Sequence, residues 1–318
     1  MEQYKELAGP RFEIDETDDL YPAVLRDMAG HPDRLYGIGN PSSLAVQSVS
    51  IVGARKATPY GLACAELAAQ CAAQMDIGVV SGAAIGCDQA SQWEALRRKT
   101  PVCAVLGSGA NVIYPPSSRG MLEEIVATGG AVVAILPWDA TPNRWSFVKR
   151  NAVIAALSEA LVICEAGMPS GTFSTAQYAS DAGREVLVFP GSVFSPNSTG
   201  SNYLIANNPD AIPLWDRTCL EVAYSRIYGR LCKPVTSRFD KGMGETTSNR
   251  DPNAPLLEAL RASSSMPGEL ATVLDVDLPQ LMRSLGHLEI EGRVVRLMDG
   301  RYCLSREELH AQKTYDAQ

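Results

Sequence analysis

Histidine is scarce in this 318-residue chain and occurs only as His31, His287 and His310. The regular central part of the chain therefore lacks the base that a Ser-His-Asp device needs. The eight cysteines are scattered and form no CxxC pair, which argues against a zinc site and favours reduced, buried thiols. A GK[ST] sequence is also missing, which excludes a Walker loop. We expect no catalytic residues and no metal site.

Long apolar runs and an excess of basic charge are missing as well. No apolar run approaches the length of a membrane span, and the acidic N-terminal segment lacks the hydrophobic core of a secretory signal. We therefore expect a cytoplasmic protein with no membrane partner. The formal net charge of −8 argues against a broad basic face that coats nucleic acid, but it allows a small basic site.

A regular alternation of apolar segments begins at residue 49. The strand candidates are Val49–Gly53, Gly78–Ser81, Val102–Leu106, Ala131–Leu136, Ala160–Cys164 and Val186–Pro190. Helical segments separate them, at about 60–75, 87–99, 117–128, 147–158 and 172–182. This order predicts an α/β fold, a Rossmann-like doubly wound, mainly parallel sheet with helices on both faces. In such sheets ligands bind at the carboxyl ends of the strands.

The rest of the chain divides around this sheet. Residues 1–48 read as an acidic N-terminal extension and lead-in, of which 1–20 are polar and expected to be mobile. Residues 49–231 form the Rossmann-like domain, and 232–255 are polar enough for a flexible linker. Residues 256–304 have the pattern of three helices and a β-hairpin, which predicts a small winged-helix domain. The remainder, 305–318, reads as a polar tail.

The first strand runs into the turn GARKATPYG, where Gly53 allows a sharp bend and Arg55 and Lys56 add positive charge. A strand, a glycine turn and a helix together make an anion site, because the N–H groups of the first helical turn are free. An ordinary turn with two solvated cations is the alternative.

Basic residues also occupy a later strand-end loop, PWDATPNRWSFVKRN, together with Trp138, Trp145 and Phe147. Interleaved aromatic and basic residues suit single-stranded nucleic acid, since rings stack on bases and cations follow phosphates. A hydrophobic lid would explain the same aromatic residues. Ser170, Gly171 and Thr172 stand before another helix and could bind phosphate, although an ordinary helix cap is the more common reason for such residues.

Dinucleotide chemistry is the obvious competitor. GSGANV at 107–112 has two of the three glycines of GxGxxG and follows the third strand candidate of the sheet rather than the first. We therefore expect no hydride transfer and no cofactor. Asp88 and Glu165 are the best carboxylates for acid-base work, but a role in orienting loops by hydrogen bonds is the more natural one.

Several motifs in succession resemble the DNA-processing protein A family (DprA, also called Smf). They are IVGARKATPYG, VVSGAAIGCD, AVLGSGANVIYPP, FVKRNAVIAALS, EAGMPSGTFSTAQYASDAGREV and PGSVFSPNSTGSNYLI. The resemblance implies a non-enzymatic protein that binds single-stranded DNA, forms a homodimer through its Rossmann-like domain, protects incoming DNA and loads the RecA recombinase in natural transformation. It implies DNA-binding roles for Gly53, Arg55, Lys56, Lys149, Arg150, Asn151, Ser170, Gly171, Thr172 and Asn202.

The chain departs from the family pattern at two cationic positions, where it has Ile85 and Ala152, and Val148 replaces a proline. Each lost phosphate contact is expected to weaken DNA binding. Lys149, three residues before Ala152 on the predicted helix, is expected to compensate. The N-terminal helical domain common in the family is expected to be missing or reduced. A nucleotide-binding sensor or a nucleotide-processing enzyme on the same scaffold is the alternative function.

Overall fold

The computed structural model describes residues 6–26, 28, 30–231, 251–262 and 264–311. The described strands are β1 (Arg11–Asp15), β2 (Arg34–Gly39), β3 (Ser48–Val52), β4 (Gly78–Ser81), β5 (Val102–Leu106), β6 (Ala131–Ala134), β7 (Ala160–Ile163), β8 (Glu185–Val188), β9 (Ala211–Pro213), β10 (Val294–Arg296) and β11 (Tyr302–Leu304). The described helices are α1 (Ala23–Arg26), α2 (Pro59–Gln74), α3 (Cys87–Arg97), α4 (Arg119–Ala127), α5 (Arg144–Ala156), α6 (Thr172–Asp181), α7 (Thr199–Asn207), α8 (Arg217–Tyr228), α9 (Ala254–Ala262), α10 (Pro267–Leu274), α11 (Leu278–Ile290) and α12 (Arg306–Ala311).

The first nine strands form one sheet in the order β1-β2-β6-β5-β4-β3-β7-β8-β9. The strands from β6 to β9 in that order are all parallel, which confirms the predicted Rossmann-like, mainly parallel fold. The chain winds outward from β3 through β4, β5 and β6, and then returns to the other side of β3 as β7. The strand order therefore reverses between β3 and β7, which is where doubly wound sheets bind ligands.

The sheet is buried on both faces. All five residues of β3 are buried, and its side chains alternate between two cores: Ile51 packs in one and Val52 in the other. The small side chains of α2 are mostly buried and let this helix lie close to α3 and to the sheet. Continuous apolar strands covered by helices are typical of parallel sheets.

The prediction that residues 1–20 are mobile is wrong for the part that the structure describes. The β1 strand pairs antiparallel with β2, and β2 pairs antiparallel with β6, so this hairpin extends the sheet. Its single buried residue, Ile14, lies among exposed or half-buried charged neighbours. Because this outer strand is mostly polar, the sequence does not reveal it as a strand. At the opposite edge, β9 has only three residues and ends at Pro213.

Residues 251–262 and 264–311, called here the C-terminal module, have their own small core, centred on Leu281, Leu285 and Leu288. Strands β10 and β11 pair antiparallel beside α9, α10 and α11. This arrangement is compatible with a winged helix. Most of the proposed linker, 232–255, lies outside the described residues, and the domain limits remain a prediction. The predicted polar tail contains α12, which packs on α2 of the Rossmann-like domain.

The described cysteines are free thiols, and all but Cys219 are buried. Within the described ranges, no group of His, Cys, Asp or Glu is arranged to hold a metal ion. None of the described helices combines the length and apolar character that crossing a bilayer requires.

Candidate nucleic-acid interface

A cleft of about 420 Å³ opens at the carboxyl ends of β3 and β7, where the strand order reverses. Its walls come from the turn after β3, the start of α3, the middle of α5 and the loop that leads into α6. The lining residues are Val52, Gly53, Ala54, Arg55, Lys56, Ala84, Asp88, Arg150, Asn151, Ile154, Gly167, Pro169, Ser170, Gly171, Thr172, Thr175 and Asn197.

Contacts with Cys87 and Glu165 fix the turn between β3 and α2. Gly53 approaches Cys87 so closely that an added Cβ would lie 2.6 Å from its Sγ, so a side chain is sterically excluded there. At the other end of the turn, Thr58 donates to the buried carboxylate of Glu165 from both its N–H (2.8 Å) and its hydroxyl (2.6 Å). Burial raises the pKa of Glu165, while the Thr58 hydrogen bonds act in the opposite direction. Glu165 therefore orients the basic turn.

The most buried cation of the cleft is Arg150, whose residue is only 4% exposed. Its guanidinium lies 3.9 Å from Asp88 Oδ2, and its Nε makes no hydrogen bond among the described residues. Asp88 in turn accepts from the N–H groups of Gly82 (3.2 Å) and Ala84 (3.4 Å). A Cβ on Gly82 would overlap Arg150 Nη1, so only glycine leaves room for this guanidinium.

Burial shifts the pKa of both members of this pair. It lowers the pKa of Arg150 to about 10, with Asp88 opposing and Arg55 adding to the decrease. It raises the pKa of Asp88, against the effects of Arg150 and of the Gly82 and Ala84 N–H groups. Arg150 is still protonated at neutral pH. A desolvated cation that lines a cleft is well suited to an anionic ligand.

An aromatic ring stands beside these cations. The guanidinium carbons of Arg55 and Arg150 lie 5.3 and 5.7 Å from the centre of the Phe147 ring, within cation–π distance. Gly107 makes room for this ring, since a Cβ there would come within 2.6 Å of it. Tyr114 packs beside Phe147 with a ring separation of 5.9 Å. Together with exposed Ile85, these rings line a smaller side cleft of about 250 Å³.

The three aromatic residues of the predicted loop thus have different surroundings. Phe147 lines the side cleft. Trp138 has a structural role, since its indole N–H donates to Glu13 (2.8 Å) and its ring packs against Tyr36. Trp145 is 56% exposed, and the Lys149 ammonium lies 4.5 Å from its ring centre.

The start of α6 closes the cleft on one side. Gly171 is its N-cap and no side chain provides an N-cap hydrogen bond, although the Ser170 hydroxyl accepts from the Thr172 N–H at 3.2 Å. The Ser170 and Thr172 hydroxyls also hydrogen-bond to each other. The positive end of the helix therefore meets the cleft, in addition to the local turn made by Ser170.

Eight of the ten predicted DNA-binding residues line one cleft; Lys149 and Asn202 do not. Asn202 instead accepts from the Gly191 N–H (3.1 Å) and donates to the Gly191 carbonyl (3.0 Å). Lys149 and Ala152 do not share a helix face, so the reason given for compensation does not hold, while compensation itself stays a prediction. Ala152 is buried at 8% exposure, whereas Lys149 is exposed beside Trp145, because α5 packs one side against the protein and turns the other to solvent.

Sequence reasoning missed Asn197 and Thr175, which also line the cleft. Thr175 lies one helical turn after Gly171, so a helical projection from Ser170 would have found it. Asn197 belongs to a loop that returns from the next strand, β8, and only the order β3-β7-β8 brings it near.

Comparison with known proteins identifies the family of this chain. The profile of the family described as DNA recombination-mediator protein A matches residues 13–221. Protein Smf of Escherichia coli is 32% identical over 192 residues, which cover 60% of this chain and 51% of that protein. DNA processing protein DprA of Streptococcus pneumoniae is 32% identical over 196 residues, covering 62% of this chain and 68% of the relative. The matched part thus spans about half of the length of the Escherichia coli relative.

Solved structures agree on the fold. The crystal structure of DprA from Streptococcus pneumoniae superposes with a TM-score of 0.59 at 27% identity, covering 66% of this chain and 72% of that one. A structure from Helicobacter pylori, reported for its single-stranded DNA binding mode, superposes with a TM-score of 0.61 at 24% identity. It covers 70% of this chain and 100% of that one. With its profile match over most of the sheet and the same fold, this chain belongs to the DNA recombination-mediator protein A family.

Proposed function

We propose that this chain binds single-stranded DNA in the cleft between β3 and β7 and acts as a recombination mediator. In this role it protects incoming DNA and loads the RecA recombinase during natural transformation, as a homodimer. The observation that carries the proposal is the convergence of Arg55, Lys56 and Arg150, which line both this cleft and the side cleft where Phe147 stands beside them. Cations that follow phosphates beside a ring that can stack on a base are the parts a single strand needs.

The proposed role is binding rather than catalysis. The two carboxylates of the site, Asp88 and Glu165, both accept hydrogen bonds from the backbone of neighbouring turns. They are therefore used to hold the loops in place. The single-stranded DNA binding mode reported for the Helicobacter pylori protein supports the choice of ligand.

The decisive experiment is a fluorescence anisotropy titration with labelled oligo-dT at low salt. We compare the wild type with Arg55→Ala and Arg150→Ala, and with Arg226→Ala as a control on α8. Each cleft variant is expected to bind about 10- to 100-fold more weakly, as for a lost charged hydrogen bond. Each should also reduce the slope of log affinity against log salt by about 0.7.

Arg226 pairs with Glu185 and does not line the cleft, so its variant is expected to bind like the wild type. Because Arg150 is buried, thermal melting checks that its variant folds, and the exposed Arg55 provides an independent test. Equal affinity of all four proteins for oligo-dT would refute the site.

A nucleotide-binding sensor or nucleotide-processing enzyme is the second candidate. The cleft volume of about 420 Å³ favours it, because small-molecule sites commonly measure roughly 300–1,000 Å³. A thermal-shift screen separates the two. Stabilisation by mononucleotides but not by oligonucleotides would support the sensor or enzyme, whereas the reverse supports DNA binding.

A further inference from the structure

The loop that follows β8, residues 190–198, stands between the cleft and the C-terminal module. Asn197 lines the cleft, whereas Ser192, Ser195 and Ser198 line a second cavity of about 240 Å³. The opposite wall of this second cavity comes from the C-terminal module and includes Arg261 of α9. Neighbouring residues of the same three backbone segments, 56–58, 165–167 and 197–198, line the two cavities. The second cavity is therefore close to the cleft, at its junction with the C-terminal module.

Hydrogen bonds hold the loop in one conformation. Asn202 makes two hydrogen bonds with the backbone of Gly191. Farther along, the Ser195 N–H donates to the Ser192 carbonyl (3.0 Å), and the Phe194 N–H donates to the Ser192 hydroxyl (3.2 Å). A loop ordered in this way loses little conformational entropy when a ligand binds to it.

This ordered loop presents an aromatic ring to water. The Phe194 residue is 80% exposed, and its neighbour Val193 is 82% exposed. Phe194 borders a groove of the C-terminal module together with Ser264, and Ser264 also lines the cavity that contains Arg261. Phe194 precedes Asn197 by three positions, so their Cα atoms are at most about 11 Å apart. The ring is therefore near the cleft, in a groove adjacent to the cavity that contains Arg261.

We propose that Phe194 and Arg261 form a second nucleotide subsite, in which Phe194 stacks on a base of the departing single strand and Arg261 contacts its phosphate. This inference rests on the proposed function, since the strand must first occupy the cleft. An exposed ring beside a cation is the combination that binds single-stranded nucleic acid without sequence preference. The subsite joins the C-terminal module to the DNA path, and Asn202 contributes by positioning the loop.

The test measures affinity of the full chain for a long oligo-dT of about 20 nucleotides and a short one of about five. The subsite variants are Phe194→Ala and Arg261→Gln. Each is expected to weaken binding of the long oligonucleotide by about fivefold or more, the loss of one stacked base or one phosphate contact. Binding of the short oligonucleotide, which the cleft holds alone, should not change. Phe194→Trp should retain the affinity, because indole also stacks.

Matched controls are Val193→Ala on the same loop and Arg296→Gln, an exposed arginine of β10 that lines neither cavity. Both are expected to bind both oligonucleotides like the wild type. Wild-type affinity of Phe194→Ala and Arg261→Gln for the long oligonucleotide would overturn the subsite, while weaker binding by Arg55→Ala would leave the proposed function standing. An equal loss in Val193→Ala, or a change in molecular mass of Phe194→Ala by light scattering, would also overturn it. If the wild type binds neither oligonucleotide, the proposed function fails as well.

Discussion

At the scale of single residues, the main feature of the cleft is a buried but weakly paired cation, Arg150, beside Asp88. The Arg150 guanidinium and the Asp88 carboxylate are only 3.9 Å apart, but both have lost most of their water. Removing a charge from water costs more than a long contact of this kind returns. An anionic ligand would supply the missing partner of Arg150, and it would at the same time repel Asp88.

This repulsion predicts a pH effect. Burial already raises the pKa of Asp88, and a phosphate beside Arg150 would raise it further. The bound state then holds more protons than the free state, so affinity for DNA should increase as the pH falls through the Asp88 pKa. We expect Asp88→Asn to bind oligo-dT on the order of tenfold more tightly, ~1.4 kcal/mol, and to lose this part of the pH dependence.

Anisotropy titrations of the wild type and Asp88→Asn between about pH 5 and pH 8 measure the effect. The difference between the two curves removes the contribution of the histidines, and the exposed carboxylate variant Asp210→Asn serves as the control. If Asp88→Asn bound more weakly than the wild type at every pH, Asp88 would be a DNA contact instead.

Residue by residue, the sequence predicts the site well where a side chain follows a strand directly. Arg55 and Lys56 come after β3, and Ser170 and Gly171 come before α6, so the strand-end rule brings them to one edge. It does not predict Arg150 as a buried cation with an unused N–H, because that depends on Gly82 and Asp88 from another turn. The sequence also does not predict that Asn202 positions a loop, because its hydrogen bonds to Gly191 are visible only in the structure.

At the scale of elements, the basic turn is held by an acid at the end of a neighbouring strand. Glu165 follows β7 and hydrogen-bonds to Thr58, the N-cap of α2, whose own hydroxyl also accepts from the Gly61 N–H at 3.3 Å. A Cβ on Gly61 would lie 2.5 Å from the Glu165 carboxylate, so helix and acid are packed against each other. The geometry of the turn thus depends on Glu165.

We expect Glu165→Ala to lower the free energy of unfolding by about 2–3 kcal/mol, because it leaves the N–H and hydroxyl of the part-buried Thr58 without this acceptor. Urea denaturation measures the loss as a lower midpoint. Glu185→Ala removes the surface pair with Arg226 and should cost no more than about 1 kcal/mol. A midpoint of Glu165→Ala equal to that of Glu185→Ala would contradict the role of this acid.

The regular elements of the parallel sheet are predictable because their apolar runs and glycine turns coincide. For example, the sequence predicts Gly78–Ser81 and Val102–Leu106 with the bounds that the structure has for β4 and β5. The β1–β2 hairpin is not predictable in this way, since RFEID is an outer strand with one buried residue. The position of the hairpin is decided by the pairing of β2 with β6, a contact of long sequence separation.

At the scale of the whole molecule, a buried carboxylate of the Rossmann-like domain connects it to the C-terminal module. Glu66 of α2 has a side chain only 6% exposed, and it meets Arg306 and His310 of α12, both at 3.0 Å. Arg97 of α3 approaches the same carboxylate at 3.6 Å. A buried carboxylate left without its partners is costly, so these contacts stabilise the docked position of α12.

Glu66→Ala should therefore loosen α12 from α2. We expect amide hydrogen exchange in α12 to become at least about tenfold faster, ~1.4 kcal/mol, while exchange in α11 within the module stays as it is. The control is Glu94→Ala, which removes an equally buried acid of α3 that pairs with Arg97 and Arg98. Unchanged exchange of α12 in Glu66→Ala would mean that apolar packing alone holds the module.

The two margins of the large sheet have a consequence for self-association. One margin is the charged strand β1, where Arg11 and Glu13 alternate with inward residues, and the other is β9, three residues long and closed by a proline. Charged side chains, short length and proline are the devices that prevent strands of separate molecules from joining. Two copies of this chain would therefore meet through helices or loops, and their sheets would not merge into a single continuous one.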